Sequence, residues 1–274
     1  MSLRGALLLA VALVAAGVVA AWLRRRPSND RDWAPEQARL VAPRIDGDLV
    51  HLANVRDFEY ETLERFRERW IDTTVRLDQL ATVSFALVPL SRRWRAPAHT
   101  FVSFGFDDGS YLAVSIESRR TRGEPYSPLR GIVREYELIY VVGTERDLIG
   151  RRAIHEGDPV YLYPIAASRE VVRNLFVDMM TRAARLHDAP AFYNTLTDNC
   201  TNALLRHVDV AAPDRVRAGL SGILPGYADD VAIRLGLVPG VADADEARRR
   251  YRVNERARAA EHAPDFSRRI RAPG

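Results

Sequence analysis

The sequence contains a single cysteine, Cys200, and no lysine among its 274 residues. With one cysteine, the chain can form no internal disulfide and no metal site built from cysteines. A lone thiol is either a small buried apolar group or a reactive nucleophile, and its neighbours in the fold decide between the two.

The absence of lysine leaves arginine to carry all 40 basic side chains, against 36 acidic ones. The net charge of +4 and the pI of about 9.4 accompany a high alanine content. We interpret this as a compositional bias of the genome. No arginine-rich stretch alternates with stacking aromatic residues, as a nucleic-acid groove requires, so we expect no nucleic-acid partner.

The sequence motifs of several enzyme classes are also missing. There is no HExxH and no cluster of Asp and His at metal-ligand spacing, so no metal site is expected. P-loop, GxGxxG and GxSxG motifs are absent as well, which excludes the familiar nucleotide sites and the serine-hydrolase elbow. We therefore expect no cofactor, and chemistry carried by side chains alone.

The N-terminal segment Gly5–Leu23 is apolar and uncharged. As a helix it would be about 28 Å long, close to the hydrocarbon thickness of a bilayer. Arg4 precedes it, Arg24–Arg26 follow it, and Trp22 lies where an interfacial aromatic belongs. We predict an uncleaved anchor in residues 1–26. A cleaved signal peptide is the alternative, but the segment is long and its end is a poor cleavage context.

The rest of the chain divides into a β-rich part and a helical part. Residues 83–142 contain strand-like runs, with Asp107-Asp108-Gly109 as a hairpin turn. After Pro164 the pattern is helical, with an apolar face from Val171 to Leu186 and Ser168 as its N-cap. This order predicts one α+β domain, an antiparallel sheet packed with helices.

We divide the chain into a membrane anchor (1–26), a linker (27–47), a globular domain (48–238) and an Arg-rich tail (239–274). The tail has helical propensity but only a thin apolar face, which predicts a solvated or frayed segment.

Cys200 stands at a switch from polar to apolar sequence. Polar residues surround it in Thr197–Asn202, and an apolar helical pattern begins at Ala203. This places the thiol at a helix N-terminus, with Asp198 or Asn199 as the cap. There, the helix dipole and free N–H groups favour a thiolate and can stabilise an oxyanion. The alternative is a structural cysteine at a helix start.

A thiol nucleophile needs a base that is close in space. His99 is the best candidate, because it opens a central predicted strand. His207 lies two turns along the same helix as Cys200 and cannot reach back to it. The alternative for His99 is a strand histidine satisfied by a neighbour. The other four histidines are expected on a strand, in a loop, at a helix end and in the tail: His51, His155, His187 and His262.

Ser115, Glu117 and Arg119 alternate onto one face of the strand that follows the hairpin. A carboxylate there can hydrogen-bond the ring of His99 across a strand pair and fix its tautomer. The alternative is a Glu–Arg pair at a sheet edge.

Several runs, in this order, resemble the Lnb N-terminal periplasmic domain family over roughly residues 48–238. They are His99–Gly109, Ser115–Arg119, Tyr136–Tyr140, Val160–Pro164, Phe192–Thr201 and Leu224–Tyr227. The resemblance implies a domain outside the inner membrane, in a family whose named member is a lipoprotein N-acyltransferase.

The order of His before Cys, with Asn-Cys-Thr at a helix start, is similar to permuted papain-like enzymes such as the lecithin:retinol acyltransferase and NlpC/P60 groups. By this resemblance Cys200 is the nucleophile, His99 the base and Glu117 an orienting group. Further candidates for substrate or oxyanion contacts are Asn199, Thr201, Tyr193 and Arg119.

The membrane orientation rests on two opposing signals. The three arginines after the apolar segment favour a cytoplasmic domain by the positive-inside rule, whereas the resemblance implies a periplasmic one. We follow the resemblance and expect a single-pass inner-membrane protein with a periplasmic domain.

The leading functional hypothesis is a thiol acyltransferase or hydrolase acting on lipid or lipoprotein acyl groups. One alternative is a cell-wall peptidase or amidase with the same site, and another is a non-catalytic, membrane-anchored binding domain. A lipid substrate predicts an apolar groove beside Cys200, and a peptide predicts a polar open cleft. A non-catalytic domain predicts that Cys200 and His99 lie far apart.

Overall fold

A computed structural model describes residues 13, 17, 19, 22, 24–91, 93–95, 97–213 and 224–271. The strands are β1 (Ala42–Asp46), β2 (Leu49–Arg56), β3 (Glu59–Tyr60), β4 (Phe66–Arg67), β5 (Trp70–Arg76), β6 (Leu80–Pro89), β7 (Ala98–Phe106), β8 (Tyr111–Arg119), β9 (Glu137–Gly143) and β10 (Tyr161–Ile165). The helices are α1 (Pro128–Ile132), α2 (Glu145–Gly150), α3 (Arg169–Asp188), α4 (Cys200–Ala211), α5 (Ala228–Arg234), α6 (Ala244–Tyr251), α7 (Asn254–Ala259) and α8 (Phe266–Arg269). A π-helical turn, Arg151–Glu156, follows α2 directly.

Eight of the strands form one mostly antiparallel sheet. Its order is β1-β2-β9-β8-β7-β6-β10, with β5 added on β2, and β3 pairs with β4 separately. The centre is an antiparallel run from β6 to β9, whereas β2 meets β9 in parallel only at Arg56 and Gly143. The turn between β7 and β8 contains Gly109 at φ 82°, as the hairpin motif predicts. The predicted α+β architecture, an antiparallel sheet packed with helices, is confirmed.

The central strands are buried on both sides because their alternate residues face two different hydrophobic clusters. Phe104 belongs to the larger cluster and meets Phe176 of α3 edge to face at 5.0 Å. Phe101 and Ala113 point the other way, into a second cluster with the α2 and C-terminal segments. The sheet therefore lies between two layers of helices.

Helix α3 forms where the sequence predicts it. The Ser168 hydroxyl caps it by accepting from the Val171 amide at 3.3 Å. Its apolar face is buried through Val172, Phe176 and Met179, so the periodicity and the cap are both confirmed.

The C-terminal segment contradicts its prediction. Val253, Ala257, Phe266 and Ile270 are all buried in the second cluster, so a solvated or frayed tail is wrong. The apolar residues are spread over short helices that each contribute only one or two, which is why no single helix shows a broad apolar face. Residues 27–47 also pack on the domain: β1 pairs with β2, and Trp33 and Gln37 are buried.

No helix in the part of the chain that the structure describes is long and apolar enough to cross a membrane. The predicted anchor, residues 5–23, falls mostly on positions outside the described residues.

A buried ion pair joins the sheet to α2. Both nitrogens Nε and Nη2 of Arg56 donate to the Asp147 carboxylate at 2.8 Å, and the two side chains are 2% and 0% exposed. Asp147 also accepts from the Phe58 amide at 2.8 Å. Burial alone would lower the pKa of Arg56, but the charge and hydrogen bonds of Asp147 together with the nearby Tyr60 and Glu117 raise it overall. The pair is therefore charged and fully enclosed.

Replacing Asp147 with alanine should leave the Arg56 guanidinium buried without its counter-ion. We expect Asp147→Ala to lower the free energy of unfolding by about 3–5 kcal/mol, measured by urea denaturation of the purified chain. The control is Asp78→Ala, which removes an exposed pair with Arg76 and should leave the free energy of unfolding close to that of the wild type. Equal losses in the two variants would contradict this account of the buried pair.

Candidate active site

Cys200 is the first residue of α4, and it is buried. The Asn199 side chain caps the helix by accepting from the Asn202 amide at 2.9 Å, so the predicted helix start and one of the two predicted caps are confirmed. The thiol thus lies in the first turn, where helix N–H groups have no intrahelical partner.

The structure brings His99 to this thiol. Helix α4 packs against β7, and Cys200 Sγ lies 4.0 Å from the carbonyl oxygen of Ala98, the residue before His99. The side chains of His99 and Cys200 line the same cleft, and the His99 ring lowers the pKa of the thiol. The His99 ring also stacks on Phe101, with centroids 5.6 Å apart, which fixes its plane.

A serine links His99 to the carboxylate of Glu117. His99 Nε2 lies 2.8 Å from Ser115 Oγ, which donates to Glu117 Oε1 at 2.8 Å. The direct separation of His99 Nε2 and Glu117 Oε1 is 3.9 Å, so the predicted direct hydrogen bond is absent. The physical reason is that the His99 ring lies beside its diagonal neighbour Ser115 on the adjacent strand.

This chain of hydrogen bonds sets the tautomer of His99. The single hydroxyl proton of Ser115 is donated in the hydrogen bond to Glu117, so Ser115 Oγ accepts the hydrogen bond that His99 Nε2–H donates. His99 Nδ1 is then the acceptor nitrogen and the one left for the thiol. The arrangement leaves Nδ1 as the nitrogen of His99 that can accept a proton.

Glu117 is charged although it is largely buried. Burial raises its pKa, but the charges of His99, Arg56 and Arg152 outweigh this and hold the pKa well below the ordinary range. Its second oxygen accepts from Gln37 Nε2 at 2.9 Å. The ionised carboxylate of Glu117 therefore lies near His99, where its negative charge stabilises an imidazolium ring.

The thiol of Cys200 ionises more easily than an ordinary cysteine. Burial raises its pKa, whereas the nearby His99 ring and the backbone amide of Thr100 lower it, with a net value of about 7. A substantial fraction is therefore thiolate at neutral pH.

The other predicted site residues have different surroundings. Thr201 Oγ1 lies 3.9 Å from Cys200 Sγ and 3.0 Å from Thr100 Oγ1. Asn199 is committed to the cap, and its Nδ2 donates to the Thr195 carbonyl at 2.9 Å. Tyr193 lines the same cleft as Cys200, and burial raises its pKa.

Arg119 lies away from the thiol. Its Nε donates to the Gln37 carbonyl at 2.9 Å, its Nη2 donates to the Ala38 carbonyl at 2.8 Å, and its guanidinium stacks on Trp33 at 4.1 Å. It is 2% exposed, and its contacts hold residues 33–38 against the sheet. It does not line the cleft. The alternative of a Glu117–Arg119 pair is likewise not seen.

A cleft of about 490 Å³ opens beside Cys200. One part of its wall is apolar or aromatic and another is charged. The apolar and aromatic part includes Leu63, Leu90, Tyr126 and Tyr193, and the charged part Arg120, Arg151, Arg152, Glu156 and Asp158.

Four contributors to the site gave weak or no signal in the sequence. Ser115 shared a predicted face with Glu117, but its role in linking His99 to Glu117 depends on the orientation of the His99 ring. Arg152 comes from the π-helical turn, where His155, predicted in a loop, also lies. Gln37 and Arg56 come from far earlier in the chain. Among the described residues, no group of three or more His, Cys, Asp or Glu could hold a metal ion.

Comparison with known proteins gives one match. A family model described as the Lnb N-terminal periplasmic domain matches residues 66–230. This range contains His99, Ser115, Glu117 and Cys200. Neither the curated proteins nor the solved structures contain a match to the chain.

The thiol pKa can be tested by alkylation kinetics. The rate of iodoacetamide reaction at Cys200 should fall as pH drops through about 7, because protonation removes the thiolate. In His99→Ala the imidazole no longer opposes the effect of burial on the thiol pKa. The pH midpoint of the alkylation rate should therefore rise toward or above the ordinary value of 9.0. His187→Gln, at the exposed end of α3, is the control and should match the wild type. A midpoint that His99→Ala leaves unchanged would show that the ring does not control the thiol.

Proposed function

The chain belongs to the Lnb N-terminal periplasmic domain family, and from this premise we propose that it is a thiol acyltransferase or hydrolase. Its substrates are lipid or lipoprotein acyl groups, and Cys200 is the nucleophile. The observation that carries the proposal is that Cys200, at a helix start, and His99, hydrogen-bonded through Ser115 to Glu117, line the same cleft.

The reaction begins with transfer of the thiol proton from Cys200 to His99 Nδ1. The thiolate attacks the carbonyl carbon of an ester or amide, and the carbonyl oxygen becomes an oxyanion. The first-turn N–H groups of Cys200 and Thr201 are the donors that we expect to stabilise that charge. Glu117, through Ser115, stabilises the imidazolium that forms.

The tetrahedral intermediate then collapses and expels an alcohol or amine, which takes the proton from His99. An acyl-thioester remains on Cys200. An amine or a water molecule attacks it while His99 accepts the incoming proton, and the thiolate leaves. An amine acceptor makes the enzyme a transferase, and water makes it a hydrolase.

An apolar cavity supports an acyl chain as part of the substrate. It has a volume of about 140 Å³ and lies between α3, α4, α5 and the sheet. Its wall includes Thr201, the residue after the nucleophile, and Leu204 one turn further along. A hydrocarbon chain would be stabilised there, because its apolar surface would leave water and contact apolar side chains.

The charged part of the cleft wall favours a second candidate function. Arg120, Arg151 and Arg152 lie on the same cleft as Cys200, with Glu156 and Asp158 among them. A peptide presents amides and charged groups that such a wall can bind. A cell-wall peptidase or amidase with the same catalytic residues is therefore the alternative.

Fold and location complete the proposal. The order of His99 before Cys200, with the nucleophile helix packed on an antiparallel sheet, supports a permuted papain-like arrangement. The family's description as a periplasmic domain, together with the apolar N-terminal segment, supports a single-pass inner-membrane protein whose domain lies in the periplasm.

Acylation of Cys200 tests the proposed function. With a p-nitrophenyl acyl ester, the wild type should form a hydroxylamine-sensitive acyl-thioester that mass spectrometry locates at Cys200, and Cys200→Ala should form none. His99→Ala should slow acylation by about 10²–10⁴-fold, the usual contribution of a general base. Ser115→Ala should fall between the wild type and His99→Ala. The exposed Thr197→Ala is the control. Equal labelling of the wild type and Cys200→Ala would refute a thiol nucleophile.

Acyl chain length separates the two candidate functions. If the chain enters the apolar cavity, each added methylene should raise the specificity constant by about fourfold until the cavity is full. Ala232→Phe, which narrows the cavity from α5, should remove this dependence and spare acetyl esters. A rate that ignores chain length, together with cleavage of peptide amides, would favour the peptidase.

A further inference from the structure

Large apolar side chains are exposed on two neighbouring segments, α1 with its flanks and the loop before α4. They are Tyr126, Leu129, Val133 and Leu196, which we call the apolar patch; Leu129 is 74% exposed and Leu196 64%. The segments are tied together, because Thr195 Oγ1 donates to the Pro128 carbonyl at 2.8 Å. Adjacent exposed apolar groups of this size mark an interaction surface.

The apolar patch adjoins the mouth of the cleft. Tyr126 lines the cleft together with Cys200, and the loop that bears Leu196 leads directly into α4. On another side, the connection from β6 to β7 leads into His99. It carries Leu90, which also lines the cleft, and Trp94, which is 74% exposed. Apolar side chains therefore flank the entrance to the nucleophile.

Trp22, near the end of the apolar sequence segment, contacts this patch. Trp22 Nε1 donates to the Val133 carbonyl at 3.0 Å, and the Arg134 guanidinium lies 4.5 Å from the centre of its ring. Trp22 occupies the interfacial position of the predicted anchor. A chain that leaves the membrane at Trp22 places the patch at the membrane surface.

The charges around the patch fit the same partner. Arg24, Arg25 and Arg26 follow Trp22 and are exposed, and Arg134 stacks on its ring. Arginines at the end of an apolar anchor attract the phosphates of anionic lipids. Apolar side chains within a basic surround match the acyl region and the headgroups of a bilayer.

We propose that the apolar patch lies on a lipid bilayer, so that the Cys200 cleft opens toward the membrane. The inference rests on the proposed function in one respect: the acyl carbonyl that is attacked belongs to a molecule held in that membrane. Substrate then enters the cleft sideways from the lipid and does not cross water.

Depth-dependent quenching tests the orientation without catalysis. In a full-length Cys200→Ser background, single cysteines at Leu129→Cys and Leu196→Cys would carry an environment-sensitive fluorophore. The protein would be reconstituted in phosphatidylcholine–phosphatidylglycerol vesicles containing nitroxide lipid. The control is Asp108→Cys in the β7–β8 turn, about 30 Å from His99 along the strand.

We expect nitroxide lipid to quench the labels at positions 129 and 196 and to spare the label at position 108. Equal or absent quenching at all three positions would overturn the inference. A blue shift without lipid that grows with protein concentration would also overturn it, since a second copy of the chain would then cover the patch.

A second measurement separates this inference from the proposed chemistry. Leu129→Asp combined with Leu196→Asp should slow turnover of a long-chain lipid ester in vesicles by at least about tenfold. Acylation by a soluble short-chain ester should stay within about twofold of the wild type. Val210→Asp, at the opposite end of α4 and 64% exposed, is the matched control.

The two failures have different signatures. If the wild type is not acylated by the soluble ester, the proposed thiol chemistry is refuted. The quenching measurement would still report which face of the protein meets the lipid. Normal soluble acylation with unchanged vesicle turnover in the double variant would refute the membrane face alone.

Discussion

The effect of the His99 ring on the Cys200 thiol, which lies on the same cleft, is the interaction on which the site depends. It joins two elements about a hundred residues apart in the chain, the start of β7 and the start of α4. Burial opposes ionisation of the thiol, and the imidazole outweighs that opposition and brings its pKa to about 7. Without this contact Cys200 would be an inert buried side chain.

The negative charge of Glu117 supports this contact. Glu117 stays ionised in a largely buried position because His99, Arg56 and Arg152 surround it. Arg56 is itself fixed by its bidentate pair with Asp147. The Arg56–Asp147 ion pair and the hydrogen bonds from His99 through Ser115 to Glu117 therefore share one electrostatic network, which links the stability of the fold to the orientation of the His99 ring.

The sequence predicts those parts of the molecule that depend on local pattern. Alternation indicated the central strands, Ser168 marked the start of α3, and the switch from polar to apolar residues placed Cys200 at a helix start. Tertiary contacts were not accessible in this way. Ser115 links His99 to Glu117 because of how the His99 ring is oriented toward the neighbouring strand. Gln37 and Arg56 reach the site from the N-terminal part of the fold. The C-terminal segment was predicted to be solvated because its buried residues are divided among several short helices.

The most direct measurement is a crystal structure of the chain after reaction with a slowly hydrolysed acyl ester. The account predicts continuous density from Cys200 Sγ to the acyl group, with the carbonyl oxygen at the first-turn amides of Cys200 and Thr201 and with His99 Nδ1 beside the sulfur. An unmodified sulfur, or an acyl group bound to another residue, would contradict the assignment of Cys200 as the nucleophile.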